Sequence, residues 1–282
     1  MRALAEFVMA GRLKAALVAL LGNFLPLVSP AAVGLVVLRQ GLTEGSLVLL
    51  WAILPLVILV GSENMNGAMV WASIFSVLVV MIGASALTQT RAWTSALKVM
   101  LGASVLSGLA MKLLLATEVS AMREALNEVL RQLQQQNSAL IFEPSDLFVA
   151  GLLAWVIALT AVAALLLARW WQSLLYNPGG FGVEFHALRF DRLSASLLFA
   201  ALMGCYLLGQ EYVTWGNLLG LPLLLSGIAL VHHSVAFAGL GTRWIVVFYM
   251  GLVLLLGPLS SVLIGLGFLD SVMDFRSRLA AR

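Results

Sequence analysis

The chain has 282 residues, 62% of them hydrophobic and only 10% charged, and its mean hydropathy is +1.03. With 16 Lys and Arg against 13 Asp and Glu, it cannot clothe a water-exposed surface, so most of it faces lipid. The net charge of +3 is too scattered to neutralise a run of phosphates, which excludes nucleic-acid binding, and the single Cys205 excludes an intrachain disulfide or a cysteine metal site.

Crossing the hydrocarbon core takes about 20 apolar residues in a helix. Eight segments approach that length: Leu13–Leu38, Gly45–Val60, Gly67–Leu87, Trp93–Ala116, Leu147–Trp170, Leu193–Gly209, Thr214–Phe237 and Arg243–Leu269. They are too long and continuous for barrel strands, and helices satisfy their own backbone groups in lipid. The expected fold is therefore all-α, a polytopic transmembrane helical bundle forming one integral membrane domain over 1–282. Arg2, Arg12 and Lys14 ahead of an apolar run resemble a signal peptide. The run continues to Leu38, however, which suits a retained segment.

The basic residues separate two topologies. If every segment crosses once, they divide almost evenly between the two faces. If the first and last segments turn back, twelve share one face: Arg2, Arg12, Lys14, Arg39, Arg91, Arg169, Arg189, Arg192, Arg243, Arg276, Arg278 and Arg282. Arg123, Arg131 and Lys112 then lie opposite, and the positive-inside rule favours this second arrangement, with both termini cytoplasmic in a bacterial inner membrane. Pro26 and Pro30 in the first segment, and Gly257-Pro258 in the last, are the breakers it needs. Kinked, tilted single spans are the alternative.

Three connections stand out. Residues 117–140 repeat Val119, Met122, Leu126, Val129, Leu130 and Leu133 at threes and fours, with Glu118, Arg123, Glu124, Glu128 and Arg131 on other faces. This predicts an amphipathic helix outside the cytoplasm, lying on the membrane or capping the bundle. Residues 170–192 interleave Trp170, Trp171, Tyr176, Phe181, Phe185 and Phe190 with Arg169, Arg189 and Arg192, as expected of a cytoplasmic loop at the headgroup boundary. Gly61–Gly67 is a tight loop without a basic residue, expected on the outer face.

The run Leu175-Tyr176-Asn177-Pro178-Gly179-Gly180-Phe181, followed by Glu184-Phe185-His186 and Leu188-Arg189, resembles the YybS-like family of bacterial membrane proteins. The opening Met1-Arg2-Ala3-Leu4-Ala5-Glu6-Phe7 and the segment lengths fit the same resemblance along most of the chain. The resemblance carries no catalytic residues. More distantly, it implies a fold similar to the substrate-binding subunits of energy-coupling-factor transporters, which hold a small vitamin near the outer face. It also implies their partners, a coupling subunit and two ATPases.

Polar groups inside a bilayer are candidates for function. Asn23 in the broken first segment, Glu63, Asn64 and Asn66 in the outer loop and Asn217 in the seventh segment are candidates to converge on one ligand cavity, because broken helices free backbone groups and amides add directed donors and acceptors. The plainer reading is that Asn64 and Asn66 cap and turn their loop. Trp51, Trp71 and Trp215 fit either cavity walls or aromatic belts. His232 and His233 form a candidate intramembrane polar site. As helix neighbours they point about 100° apart, which disfavours shared metal ligation and favours interhelical hydrogen bonds. Asn177, Gly179, Gly180, Glu184, His186 and Arg189 are candidates for docking a partner or lipid headgroups.

No P-loop, GxSxG or HExxH pattern occurs, so no enzymatic activity, metal or cofactor is expected. Two functions remain open: a small-solute binding or transport subunit served by partners, and a scaffold for other envelope membrane proteins.

Overall fold

The computed structural model describes residues 1–25, 27–60, 66–136 and 142–280. Every regular element among the described residues is a helix. Six are long and apolar enough to cross a membrane, and the chain is a polytopic, all-α integral membrane protein. It divides into two compact units, Met1–Pro178 with Cys205–Leu218, and Gly179–Gly204 with Leu219–Arg282.

The first unit opens with α1 (Arg2–Met9), α2 (Arg12–Leu21), a 3-10 turn at Gly22–Phe24, and α3 (Val28–Gln40). The break that the two prolines predict lies between Phe24 and Val28. Pro30 is the third residue of α3, where its missing N–H leaves no helical bond unmade. Pro26 itself lies outside the described residues. The two arms run antiparallel. Ser29 Oγ donates to the Ala19 carbonyl at 2.6 Å near the tip, while at the base Arg12 pairs with Glu44, just beyond the end of α3. With 10 and 13 residues, the arms reach about 15 and 20 Å, short of the roughly 30 Å hydrocarbon core.

Helix α4 (Leu42–Val60) then leads to α5 (Gly67–Thr90), α6 (Trp93–Leu114), the amphipathic α7 (Ala116–Gln136) and α8 (Asp146–Tyr176). Helix α8 is the central stem, in contact with α3, α5 and α6 through a buried face rich in Ala150, Ala154, Ala161, Ala164 and Ala168. Small side chains let backbones approach closely where lipid gives helices no hydrophobic reason to associate. A Cβ on Gly108 of α6 would stand 2.7 Å from Ala154 Cβ. Ser145 caps α8 by accepting the Phe148 N–H at 3.2 Å, and Asp146 complements the helix dipole there.

Helix α7 has the expected period over Ala116–Gln136; residues 137–140 of the predicted range lie outside the described residues. Val119 is buried, Met122, Leu126 and Leu130 are half-buried, and Val129 and Leu133 are exposed. Arg123 approaches Asp146 at 3.3 Å and ties α7 to the start of α8.

The predicted loop at 170–192 needs correction. Trp170–Tyr176 are the last turns of α8, and Gly180–His186 form a short helix, α9. Trp171, Phe185 and Phe190 are buried in the protein rather than set among headgroups. The turn between the two helices is at Asn177–Gly179, where Gly179 takes a left-handed φ of +85° that only glycine adopts freely.

The remaining helices are α10 (Arg192–Leu208), α11 (Val213–Phe237), α12 (Thr242–Leu254), α13 (Leu256–Met273) and α14 (Phe275–Ala280). Asp191 caps α10 by accepting the Ser194 N–H at 2.9 Å. Helices α11 and α12 are antiparallel about Ala238–Gly241, joined by a 3.0 Å contact between His232 Nε2 and the Tyr249 hydroxyl. The last segment breaks at Leu255, three residues before Pro258 rather than at it, because a proline third in α13 costs no helical bond. Helices α12 and α13 fold back across that break, with Gly251 facing Leu259. Gly227 and Gly267 mark the crossing of α11 and α13.

Candidate functional site

Two places gather polar groups, one in each unit. In the first unit, the tip of the α2–α3 hairpin rests against α4, α5 and α8 around a cavity of about 310 Å³. Its polar wall is Asn23, Ser29, Ser73, Ser76 and Thr160, and Leu27, Leu56, Val77 and Val156 supply apolar wall. The Asn23 amide nitrogen reaches the carbonyls of Ala19, Leu20 and Ala52 at 3.1, 3.2 and 3.1 Å, so it closes the end of α2 and fastens the tip to α4. Leu27, at the entry to α3, holds a φ of +66°. A branched residue in that region carries about 1–3 kcal/mol of strain, and such strain collects at functional positions.

The other amides expected in this cavity are elsewhere. Asn66 caps α5, its side chain accepting the Ala68 N–H at 3.1 Å, and its amide nitrogen is 3.5 Å from Met122 Sδ. That is the capping role open to it from sequence. Asn217 is exposed and accepts from the Tyr206 hydroxyl at 2.7 Å. Neither lines the tip cavity, and Glu63 and Asn64 lie outside the described residues. Ser29, Ser73, Ser76 and Thr160 were missed by sequence reasoning, since serines in apolar helices usually bond back to their own backbone. Trp51, Trp71 and Trp215 are not in the wall either. Trp215 is buried and donates from Nε1 to the Leu147 carbonyl at 3.0 Å.

In the second unit, the imidazole pair and part of the expected docking set form one cluster. His186 and His232 have ring centroids 6.0 Å apart, and His232 also meets Phe185 edge-on at 5.4 Å. His233 lines an open cavity of about 490 Å³ with His186, Arg189, Asp274 and Arg276. At its edge Asp270, fully buried, accepts from Arg276 Nε at 2.9 Å and from the Phe275 N–H at 3.1 Å. The Arg276 guanidinium also donates to the His186 carbonyl and, at 2.8 Å, to the Leu188 carbonyl. Arg189 pairs with Asp274. Asn177, Gly179 and Gly180 make the turn and helix start before this cluster. The Asn177 carbonyl accepts from Ser173 Oγ at 2.7 Å.

The electrostatics follow from burial and these pairs. Burial pushes the His186 imidazole below its usual range, and the Arg276 cation lowers it further. Burial likewise lowers the Arg276 guanidinium, against the opposing pull of Asp270. Burial alone would raise the Asp274 carboxyl, but the Ser277 N–H and Arg189 outweigh it and hold the carboxyl low. Both arginines already serve carboxylates and carbonyls of this unit, so the cluster clasps α13 to the 186–189 segment. Among the described residues no three His, Cys, Asp or Glu side chains stand together as metal ligands.

No protein family matches this chain, and neither does any curated protein or solved structure.

Proposed function

We propose that the chain is a small-solute binding or transport subunit of the bacterial cytoplasmic membrane, without catalytic activity of its own. The observation that carries this reading is the cavity at the hairpin tip, built where a broken helix frees backbone groups and walled by an amide and four hydroxyls. Discontinuous helices meeting at a polar cavity are a recurrent way to build a solute site inside a bilayer. Met69, in the first turn of α5, is on its rim, so the cavity approaches the end of α5 that Asn66 caps.

In this reading α4, α5, α6, α8 and α11 cross together with the shorter α10. Helix α13, though long enough to span, pairs with α12, and each hairpin enters and leaves on the face of its own base. Charge supports it within each unit. In the first, Arg2, Arg12, Lys14, Arg39, Arg91 and Arg169 fall on the hairpin-base side, against Lys112, Arg123 and Arg131. In the second, Arg189, Arg192, Arg243, Arg276 and Arg278 share one end. Both ends of the chain are then cytoplasmic. Six crossings also suit the proposed kinship with the YybS-like family and, more distantly, with energy-coupling-factor substrate-binding subunits, whose coupling subunit and ATPases would be the partners.

The test is a thermal-stability screen of the purified protein against vitamins and small metabolites, with mass spectrometry of anything that copurifies. Saturable stabilisation by one chemical class is expected. No stabilisation and no copurifying solute would remove the reading.

A second reading, a scaffold for other envelope membrane proteins, is favoured by α12, none of whose residues is buried. Crosslinking and pull-down separates them: an ATPase pair supports transport, and envelope-assembly proteins support the scaffold.

A further inference from the structure

The chemistry of the tip-cavity wall narrows what the cavity holds, taking as given that it is a solute site. We infer that its ligand is a neutral molecule that donates hydrogen bonds, through O–H or N–H groups on a largely apolar body.

The reason is that the wall's donors are already in use. The two hydrogens of the Asn23 amide face three backbone carbonyls, which leaves Oδ1 as the free end of that side chain. Ser29 Oγ donates to the Ala19 carbonyl at 2.6 Å, Ser73 Oγ to Met69 at 2.9 Å, and Ser76 Oγ to Ala72 at 2.9 Å. A hydroxyl has one hydrogen, so each of these then offers only lone pairs. The start of α3, where a helix ordinarily leaves four N–H groups open, is also depleted. The Val28 N–H is bonded to the Leu25 carbonyl at 3.3 Å, and Pro30 has no N–H. The Ser29 nitrogen abuts Gly22 so closely that a Cβ there would be 2.8 Å away. Thr160, whose hydroxyl makes none of the described hydrogen bonds, is the one side-chain donor left among the described wall residues.

A ligand acceptor entering this space would therefore lose its water and regain little, whereas a ligand donor meets Asn23 Oδ1 and three serine oxygens. Charge is disfavoured for a separate reason. Among the described residues no Asp, Glu, Lys, Arg or His lines the cavity, so an ion inside would find no counter-charge among them in a medium of low dielectric. The apolar wall of Leu27, Leu56, Val77 and Val156 asks for an apolar body, and about 310 Å³ accommodates a single-ring molecule.

The experiment uses the full chain in detergent micelles, with Cys205→Ser and a trifluoromethyl label on Met69→Cys, a rim position 41% exposed. Ser73→Cys carries the same label if the first variant fails to fold. Fluorine NMR then follows titration with phenol against anisole, benzamide against N,N-dimethylbenzamide, and the charged pair benzoate and benzylammonium. A label on Val253→Cys, in the other unit and 77% exposed, corrects for partition into the micelle. Phenol and benzamide are expected to shift the rim label saturably, about tenfold more tightly than their methylated partners, the worth of one hydrogen bond. The charged pair is expected to leave it unmoved. Equal affinity for methylated and unmethylated probes would overturn the donor requirement and leave the cavity standing as a solute site. Tighter binding of benzoate or benzylammonium would overturn neutrality. If none of the six moved the rim label beyond the control, the solute-site reading would fall with this one.

Discussion

The carboxylate of Asp270 is wholly buried, and Arg276 holds it at 2.9 Å while reaching two backbone carbonyls almost ninety positions earlier in the chain. A buried ion pair contributes little net stability, because both charges lose water, but removing one partner strands the other. Asp270→Asn is expected to destabilise the protein by about 3–5 kcal/mol, read from unfolding in mixed micelles titrated with a denaturing detergent. Arg276→Lys keeps the charge but not the planar fork that serves three acceptors, so it should fail to restore stability.

His186 predicts a pH dependence with a defined sign. Its folded pKa lies below the ordinary 6.5, so the unfolded chain binds the proton more readily. The stability this provides is complete above about pH 6.5 and is lost as pH falls from there through the folded value. Arg276 and His232 face the ring, and His233, Arg189 and Asp274 share its cavity. The melting midpoint should fall between pH 7.5 and 5.5, and His186→Gln, which keeps the carbonyl bonded by Arg276, should flatten that fall. An unchanged slope in the variant would assign the effect to other groups.

Gly227 and Gly267 set the distance between α11 and α13. A Cβ on Gly227 would run into the Leu263 carbonyl, and one on Gly267 into the Leu223 carbonyl, 2.8 Å from the Gly227 nitrogen. Backbone cannot swing aside as a side chain can. Gly227→Ala and Gly267→Ala are each expected to cost about 1–3 kcal/mol through overpacking. Gly265→Ala, whose Cβ meets open space, should be neutral or slightly stabilising.

The N-terminal hairpin predicts a labelling pattern. Leu13 and Gln40, both exposed at its base, should be reached from the same side of the membrane. In a Cys205→Ser background, Leu13→Cys and Gln40→Cys should react alike with an impermeant maleimide in vesicles of one orientation. Reaction from opposite sides would mean that the segment crosses.

Much of the scaffold was legible because it follows from composition and from prolines. Long apolar runs dictated helices, and Pro26, Pro30 and Pro258 located both breaks to within a few residues. The sites were less legible. Asn66 and Asn217 carry the right chemistry for a cavity, but the nearest partners took them, a helix end and Tyr206. His233 and Arg276 join His186 and Arg189 only across separations of some 40 to 90 positions, which no local pattern encodes. Asp270 was the readable clue passed over: a carboxylate in an apolar run needs a cation, and Arg276 stands six residues on.

The brevity of α2 and α3 has a consequence for biogenesis. Neither arm can stand across a bilayer as an independent stable helix, and the tip's polar backbone finds its anchor on α4, at the Ala52 carbonyl. Helices α2 and α3 are made before α4 and must therefore wait for it before they can settle. Insertion and translation run in different orders, and a truncated polypeptide ending before α4 would leave its opening helices without a seat.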